Sequence, residues 1–286
     1  MRESKSTLYV VATPIGNLGD ISTRAAQVLR EAGAVAAEDT RVTRRLLDHL
    51  GITVRMIALH EHNEERAARE VLDILATGAN VALVSDAGTP AISDPGARVA
   101  ALAREAGYTV SPLPGANAAA AAVSVSGFAA PHFLFYGFLP ARGGARRTAL
   151  AELATLPYTL VFYEAPHRVV ESVADLAAAF GAGRRMLIAR ELTKLFEETH
   201  VCALGEAEAW FAADANRLKG EFVLVIEGVT EAKPEAVDAD KTLVALLDEL
   251  PLKQAVALAV KITGGSRNVL YERALVLKRE GCMREG

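Results

Sequence analysis

Cysteine is scarce in this chain of 286 residues. Cys202 and Cys282 lie far apart and form neither a CxxC pair nor the Cys/His spacing of a zinc site. A disulfide framework or a structural zinc needs several regularly spaced ligands. We therefore expect two plain thiols.

Patterns of metal ligands are scarce as well. His60 and His62 stand close together, but no further ligand follows at H-E-x-x-H spacing. Asn63 followed by Glu64 and Glu65 is typical of the start of a helix. We expect no metal.

Long apolar runs are missing. The longest one, residues 116–125, is rich in alanine, interrupted by serines and shorter than a membrane span. The first residues, 1–7, are polar, and the apolar run at 8–12 is too short for the hydrophobic region of a signal peptide. The sequence therefore predicts a cytoplasmic protein with no membrane partner.

A surplus of positive charge is also missing. The chain has 31 Lys and Arg against 35 Asp and Glu, which gives a formal net charge of −4. Any binding of nucleic acid must therefore depend on local basic patches. A hydrophobic share of 51% and a charged share of 23% indicate a folded chain, and the length favours two domains.

Three common catalytic motifs do not occur. The sequence contains no G-x-G-x-x-G fingerprint, no Walker G-K-[ST] and no G-x-S-x-G elbow. Cradling of a nucleotide's phosphates is therefore poorly supported, and a serine hydrolase has no nucleophile signature.

What the sequence does have is an alternation of short apolar strands with amphipathic helices from residue 8 to residue 115. This pattern predicts a largely parallel sheet covered on both faces. The clearest helix is bracketed by Asp94 as N-cap, Pro95 at the first helical position and Gly107 at the end. Strands are predicted at 8–12, 34–37 and 81–85.

The second part of the chain has fewer helices between its strands, which favours a mixed sheet. Its helix is predicted at 169–180, and its strands lie near 133–136, 159–163, 186–189, 200–203 and 222–226. Residues 229–240 are predicted to be a linker, and two helices at 252–262 and 268–278 to form a helix-turn-helix. We divide the chain into an α/β domain at 1–116, a second at 117–229, and a linker with a helical tail at 230–286.

Three glycine-bearing loops follow strands of the first sheet, at the edge where open α/β sheets bind ligands. We expect them to form one crevice. With little positive side-chain charge, the crevice suits a ligand with an amino acid moiety and a sulfonium better than a nucleoside triphosphate. The candidate ligand-binding residues are Pro14, Ile15, Gly16 and Asn17 in the first loop, Asp86, Ala87, Gly88 and Thr89 in the second, and Pro114 and Gly115 in the third.

The first loop also has a purely structural interpretation as a tight turn between a strand and a helix. We interpret Asp86 as an acceptor for a ligand hydroxyl or amine, and Asp94 as a helix cap.

Charged residues also follow the strands. Glu38 and Asp39 come after the second strand, where at least one of them is expected to complement a helix N-terminus. Arg41, Arg44 and Arg45 on that helix are candidates for gripping phosphate.

A second charged group stands at strand ends of the second sheet. It consists of Glu164 after one strand and Arg190, Glu191 and Lys194 after the next. Charges at strand ends are more often site residues than charges on helix faces, although a buried ion pair is the alternative.

The segment 139–147 is predicted to be a flexible basic loop. Its Arg142, Arg146 and Arg147 are interpreted as a solvated face or, together with the arginines after the second strand, as a surface for RNA phosphates.

Taken in order, these motifs closely resemble the ribosomal small-subunit RNA cytidine 2′-O-methyltransferases of the tetrapyrrole methylase superfamily. The resemblance extends from about residue 8 to residue 228, and the helical tail is similar too. One departure is Ala116-Asn117, where the family has a proline and another small residue. The matching segments are 13–18 (TPIGNL), 37–41 (AEDTR), 83–90 (LVSDAGTP), 112–115 (PLPG), 137–140 (GFLP), 162–164 (FYE), 189–194 (ARELTK) and 219–221 (KGE).

The resemblance implies the two-domain α/β tetrapyrrole methylase fold, with S-adenosylmethionine between the domains, Tyr163 among its contacts, and a homodimer. It implies 16S rRNA of the small ribosomal subunit as substrate and, within it, the ribose of cytidine 1402 in the decoding centre. A ribose hydroxyl needs a general base or a nearby cation. The candidate bases are Glu38, Asp39, Glu164 and Glu191, and the candidate cations are Arg190 and Lys194.

Two rival functions remain. A methylase of a corrin or porphyrin precursor would share the fold and the donor pocket, and would not need the basic loop or the tail. A non-catalytic RNA-binding protein would have lost the pocket, which the intact loops at Gly16, Gly88 and Gly115 argue against.

Overall fold

The computed structural model describes residues 6–60, 62–128, 132–228 and 239–282, and side chains as far as residue 278. The chain divides into two compact units, Met1–Gly228 and Val229–Gly286. The strands are β1 (Thr7–Val11), β2 (Ala34–Ala37), β3 (Met56–Ala58), β4 (Val81–Val84), β5 (Thr109–Leu113), β6 (Phe133–Phe138), β7 (Thr159–Glu164), β8 (Arg185–Arg190), β9 (Glu198–Ala203) and β10 (Phe222–Ile226). The helices are α1 (Thr23–Glu31), α2 (Thr40–His49), α3 (Glu64–Ala76), α4 (Ala97–Glu105), α5 (Ala118–Val125), α6 (Gly143–Leu153), α7 (Val169–Phe180), α8 (Ala207–Ala212), α9 (Ala239–Glu249), α10 (Leu252–Thr263) and α11 (Arg267–Cys282).

The first sheet has the order β3-β2-β4-β1-β5, and all its strands are parallel. β2 and β4 are buried along their whole length, as central strands of a parallel sheet are when helices cover both faces. Because side chains alternate along a strand, Val81 and Leu83 pack in one core while Ala82 and Val84 pack in the other. The predicted parallel sheet is confirmed.

The start of α4 differs from the prediction. The helix begins at Ala97 with Gly96 as its N-cap, so the expected cap at Asp94 is wrong. Gly96 has a φ of 128°, and a Cβ there would lie 2.9 Å from a methyl carbon of Leu83, so only glycine fits. Its N–H is satisfied by Glu64 of α3, whose carboxylate accepts it at 2.7 Å.

The second sheet has the order β6-β7-β10-β8-β9. β6 and β7 are parallel and the other pairs are antiparallel, which confirms the predicted mixed sheet. α6 and α7 pack on one face, and α5 packs on the other.

A second correction concerns the expected basic loop. Residues 143–153 form α6, and Arg146 within it is completely buried. Its guanidinium forms ion pairs with Asp175 at 2.6 Å and Glu171 at 2.7 Å, because a buried cation needs acidic partners. Arg146 is therefore not available as a surface contact for RNA.

The second unit contains α9, α10 and α11 around a small core of Leu243, Val256 and Leu270. α10 ends at Gly264, whose φ of 68° is the usual left-handed helix end. The two predicted helices lie where expected, whereas α9 was not predicted. Of the predicted linker 229–240, residues 229–238 lie outside the described residues. Within the described part of the chain, no helix has the length and apolarity needed to cross a bilayer.

Candidate active site

The three glycine-bearing loops of the first sheet meet at its carboxyl edge. Thr13 and Gly88 exchange backbone hydrogen bonds of 2.8 and 3.1 Å, which join the loop after β1 to the loop after β4. The hydroxyl of Thr89 donates to the carbonyl oxygen of Ala116 at 3.2 Å and so joins the loop after β5. Adjacent parallel strands end at one edge, and these bonds hold their loops together.

A cavity of about 410 Å³ lies between these loops and the second sheet. This volume is in the range of small-molecule sites. Ile92, Ser93 and Asn117 are among the wall residues from the first sheet's side, and Phe138 and Leu192 are among those from the second sheet.

The predicted ligand-binding residues divide into two groups around this cavity. Five of them form part of its wall, namely Ile15, Ala87, Gly88, Thr89 and Tyr163. The others lie in the same loops outside the wall, namely Pro14, Gly16, Asn17, Asp86, Pro114 and Gly115. Tyr163 is also bound to the start of α5, since its hydroxyl accepts the N–H of Ala119 at 3.3 Å.

The charged residues of the cavity wall are acidic. Asp94, Glu164 and Glu221 are the acidic residues of the wall, and no Lys, Arg or His belongs to it among the described residues. Burial raises the pKa of Asp94, an effect that a hydrogen bond from the Ser85 hydroxyl opposes. Among the residues described, no group of three His, Cys, Asp or Glu is arranged to hold a metal ion.

Glu164 forms the buried ion pair that the sequence analysis gave as the alternative to a site role. Its side chain is fully buried and accepts the Ser172 hydroxyl at 2.6 Å and the Ala165 N–H at 2.8 Å. Arg168 completes the set with an ion pair of 3.2 Å. The carboxylate therefore ties the end of β7 to the first turn of α7, and this geometry does not suit a general base.

Glu191, Lys194 and Glu221 form a cluster beside the wall. The ammonium of Lys194 donates to Glu191 Oε1 at 2.7 Å and to Glu221 Oε2 at 2.9 Å. Burial opposes the charge of Lys194, but these two hydrogen bonds outweigh it and raise its pKa above the ordinary value. Burial likewise opposes the charge of Glu191, whose pKa is nevertheless lowered by hydrogen bonds from Lys194 and from the Glu221 N–H. Both groups are therefore ionised at neutral pH.

Gly16 holds this cluster close to the loop after β1. A Cβ on Gly16 would overlap Cγ of Lys194, and it would lie 3.0 Å from the Thr193 hydroxyl oxygen and 3.2 Å from the Leu192 carbonyl oxygen. The loops of the two sheets therefore touch at a point where a side chain does not fit.

The guanidinium of Arg190 binds other parts of the chain. Its side chain is nearly buried and donates to the carbonyl oxygens of Lys219 at 2.7 Å and Phe196 at 3.0 Å. A more distant ion pair with Glu198 spans 3.8 Å. Arg190 therefore holds the segment after β8 in place, and its interpretation as an electrostatic partner of the substrate stays a prediction.

Glu38, Asp39 and Asp86 connect the ends of β2 and β4. The Asp39 N–H donates to Asp86 Oδ1 at 2.9 Å, and the Asp86 N–H donates to Glu38 Oε2 at 3.3 Å. Asp39 is also the N-cap of α2, which confirms that one acid serves that helix. Hydrogen bonds from the Arg41 side chain and N–H lower the pKa of Asp39 to about 2.

The remaining predicted RNA contacts lie on the surface. Arg41, Arg44 and Arg45 are exposed on α2, and Arg142 is exposed just before α6. Arg147 is also exposed and stands 3.5 Å from Asp175.

Several wall residues were not predicted from the sequence. Asp94 had been assigned to a cap, and Asn117, Phe138 and Glu221 had no assigned role although they stand in or beside the quoted motifs. One Gly/Pro-rich loop has an aspartate at each end, Asp86 and Asp94. This pair was the sequence signal that an acid other than Asp86 belongs to the site.

Comparison with known proteins identifies the family. The family described as Tetrapyrrole (Corrin/Porphyrin) Methylases matches residues 7–208, and the RsmI C-terminal HTH domain matches residues 233–278. Ribosomal RNA small subunit methyltransferase I of Escherichia coli O157:H7 is 49% identical, over 95% of this chain and 96% of that protein. The protein of the same name from Pseudomonas aeruginosa is 48% identical, over 97% and 99%.

Solved structures share the fold at lower identity. Cobalt precorrin-4 methyltransferase has a TM-score of 0.60 at 17% identity, over 79% of this chain and 96% of that chain. A Thermus thermophilus uroporphyrin-III C-methyltransferase, in complex with S-adenosylhomocysteine, has a TM-score of 0.55 at 19% identity, over 78% and 97%. The fold, the matched domains and the close relatives agree, and the chain belongs to the tetrapyrrole methylase superfamily and, within it, to the ribosomal RNA small subunit methyltransferase I family.

Proposed function

We propose that this chain methylates a ribose 2′-hydroxyl of 16S rRNA in the small ribosomal subunit, with S-adenosylmethionine as methyl donor. The target that the resemblance implies is cytidine 1402 of the decoding centre. The observation that carries the proposal is the cavity between the two sheets, whose wall contains carboxylates and no basic side chain in the described chain. The names of the close relatives support the choice of RNA.

The residues of the cavity fit this donor. When bound, S-adenosylmethionine supplies a methyl group on a positively charged sulfur and leaves as a neutral thioether. A cation is stabilised by carboxylates and by aromatic faces, and the wall offers Asp94 together with the rings of Phe138 and Tyr163. An anionic donor such as a nucleoside triphosphate would find no positive side chain there.

The chain must hold the ribose oxygen in line with the methyl group and take up the hydroxyl proton. We assign the electrostatic role to Lys194, because its raised pKa keeps it charged beside the cavity. A cation at this position stabilises the developing alkoxide. Of the four candidate bases we retain Glu191, which shares a hydrogen bond with Lys194.

The other candidate bases are less suitable. Glu164 is buried with its oxygens engaged, and Asp39 is bound to Arg41 at the start of α2. Glu38 contributes to the link between β2 and β4 beside the cavity. Glu191, in contrast, accepts the N–H of the wall residue Glu221.

We assign the contacts with RNA phosphates to Arg41, Arg44, Arg45, Arg142 and Arg147, which are all exposed. Exposed arginines provide the local positive surface that a chain of negative net charge needs. We also retain the homodimer that the resemblance implies and the cytoplasmic location expected from the sequence. Light scattering at several protein concentrations tests the dimer.

The test of the function is incubation with donor labelled in the methyl group and small subunits that lack the modification, followed by mapping of the labelled nucleotide. We expect label in the ribose of a cytidine. A parallel reaction with uroporphyrinogen tests the rival activity that the names of the solved structures raise. Label in the tetrapyrrole and none in the RNA would overturn the proposal.

A further inference from the structure

Among the acidic residues of the cavity wall, Asp94 differs from Glu164 and Glu221 in its ion pairing. Glu164 is paired with Arg168, and Glu221 is paired with Lys194. For Asp94, no ion pair occurs within the described residues, and the side chain of Ser85 is the neighbour that favours its charged form. A half-buried carboxylate in an apolar wall is stabilised when a cation binds next to it.

The backbone before Asp94 is shaped in an unusual way. Ala91 and Ser93 have φ angles of 67° and 65°, in the left-handed region that residues other than glycine rarely adopt. Such conformations persist when the surrounding structure enforces them, and they cluster at ligand sites. Here they direct the loop after β4 so that Ile92, Ser93 and Asp94 all belong to the cavity wall.

We propose that Asp94 is the anionic contact for a positively charged group of the methyl donor. The carboxylate thereby distinguishes the donor from uncharged adenosine analogues. This inference rests on the proposed function, since it takes the cavity between the two sheets to be the donor site.

The donor carries two positive charges, a sulfonium and an α-ammonium. Methyl transfer removes only the first of them, because the bonding electrons remain on sulfur while the amino acid moiety is unchanged. If Asp94 contacts the sulfonium, its attraction ends with the reaction and product release is favoured. If it contacts the ammonium, donor and product are held alike. Binding measurements with ligands that carry both, one or neither of these positive charges show which of the two Asp94 contacts.

The experiment is isothermal titration of the full chain with three ligands: S-adenosylmethionine, S-adenosylhomocysteine and 5′-methylthioadenosine. The last lacks both positive charges. The variants are Asp94→Asn, which is isosteric, and Asp94→Glu, which keeps the charge. Asp73→Asn is the matched control, because Asp73 is an exposed acid on α3 of the same unit. Thermal unfolding midpoints verify that each variant is folded.

For Asp94→Asn we expect the affinity for S-adenosylmethionine to fall roughly ten-fold or more, the usual effect of losing a hydrogen bond to a charged group. Affinity for 5′-methylthioadenosine stays at the wild-type value, Asp94→Glu recovers part of the loss, and Asp73→Asn behaves as wild type. A loss confined to S-adenosylmethionine identifies the sulfonium, whereas an equal loss for S-adenosylhomocysteine identifies the ammonium.

Two results would overturn the inference. One is wild-type affinity of Asp94→Asn for S-adenosylmethionine, and the other is an equal loss for all three ligands, which would mark a structural role. Failure of the wild-type chain to bind S-adenosylmethionine would instead refute the proposed function, so the two failures are distinguishable.

Discussion

Gly16 and Lys194 are in direct contact across the two sheets of the first unit, at a point where a Cβ on the glycine would overlap Cγ of the lysine. Gly16 follows β1 and Lys194 follows β8, so residues nearly 180 positions apart meet beside the cavity wall, next to the wall residue Ile15. The contact places an ammonium held by two carboxylates next to the loop that carries Ile15. Lys194, the proposed catalytic cation, can therefore take this position only because residue 16 is a glycine without a side chain.

Gly16→Ala should displace Lys194 and lower the turnover of RNA methylation. The new methyl group would also lie 3.0 Å from the Thr193 hydroxyl oxygen and 3.2 Å from the Leu192 carbonyl oxygen, so these neighbours must move as well. Single-turnover kinetics with small subunits measure the effect. Gly183→Ala is the control, because a Cβ there meets nothing within 4 Å. Equal rates for the two variants would show that the contact does not matter.

Lys194→Met should lower the rate of methyl transfer by roughly 10²-fold, the usual effect of removing one stabilising donor from a site of this kind. Affinity for S-adenosylmethionine should be nearly unchanged, because Lys194 is not part of the cavity wall. Rapid-quench kinetics measure the rate of methyl transfer, and calorimetry measures the affinity for S-adenosylmethionine. The matched control is Lys219→Met, which removes an exposed lysine just before Glu221. A loss of donor affinity in place of rate would refute the assigned role.

Arg146 and Arg147 should differ sharply although they are neighbours in the sequence. Arg146→Ala leaves Asp175 without its buried partner and should lower the free energy of unfolding by about 3–5 kcal/mol. Arg147→Ala removes an exposed side chain and should change it by less than about 1 kcal/mol. Urea denaturation measures both values. Similar stabilities would contradict the burial of Arg146.

Asp39 gives a prediction for acid conditions. Its pKa is lowered from 3.8 to about 2 in the folded chain, chiefly by the side chain of Arg41. A lowered pKa contributes stability that is complete above the unfolded value of 3.8 and is lost as the pH falls through about 2. Asp39→Asn keeps a capping oxygen, so its stability deficit should be constant near neutral pH and shrink in that acidic window. A deficit that grows with acid would reverse the assignment.

The backbone architecture could largely be predicted from the sequence. Buried strands such as β2 and β10 are continuous apolar runs, and their ends agree with the predicted bounds 34–37 and 222–226. α6 was missed because its first turn contains Gly143 and Gly144, which are typical of loops. β3 has only three residues, too few for a periodic signal.

The tasks of the charged residues were harder to predict. The ends of two strands carry such charges, namely Glu164 at β7 and Arg190 with Glu191 at β8. A sequence pattern cannot distinguish a carboxylate that binds a hydroxyl of the chain from one that faces a ligand. Asp94 was assigned to a helix start because Asp-Pro is a common signal there. The actual N-cap is Gly96, whose N–H donates to Glu64 of α3, a contact between distant residues that no local pattern contains.

The most direct test of the account is titration of S-adenosylmethionine into the wild type and two variants of α5. Ala118 belongs to the cavity wall, so Ala118→Phe fills the space, whereas Ala120→Phe changes an exposed position on the same helix. We predict that the wild type and Ala120→Phe bind the donor alike and that Ala118→Phe loses binding while remaining folded. Undiminished binding by Ala118→Phe would contradict the assignment of this cavity to the methyl donor.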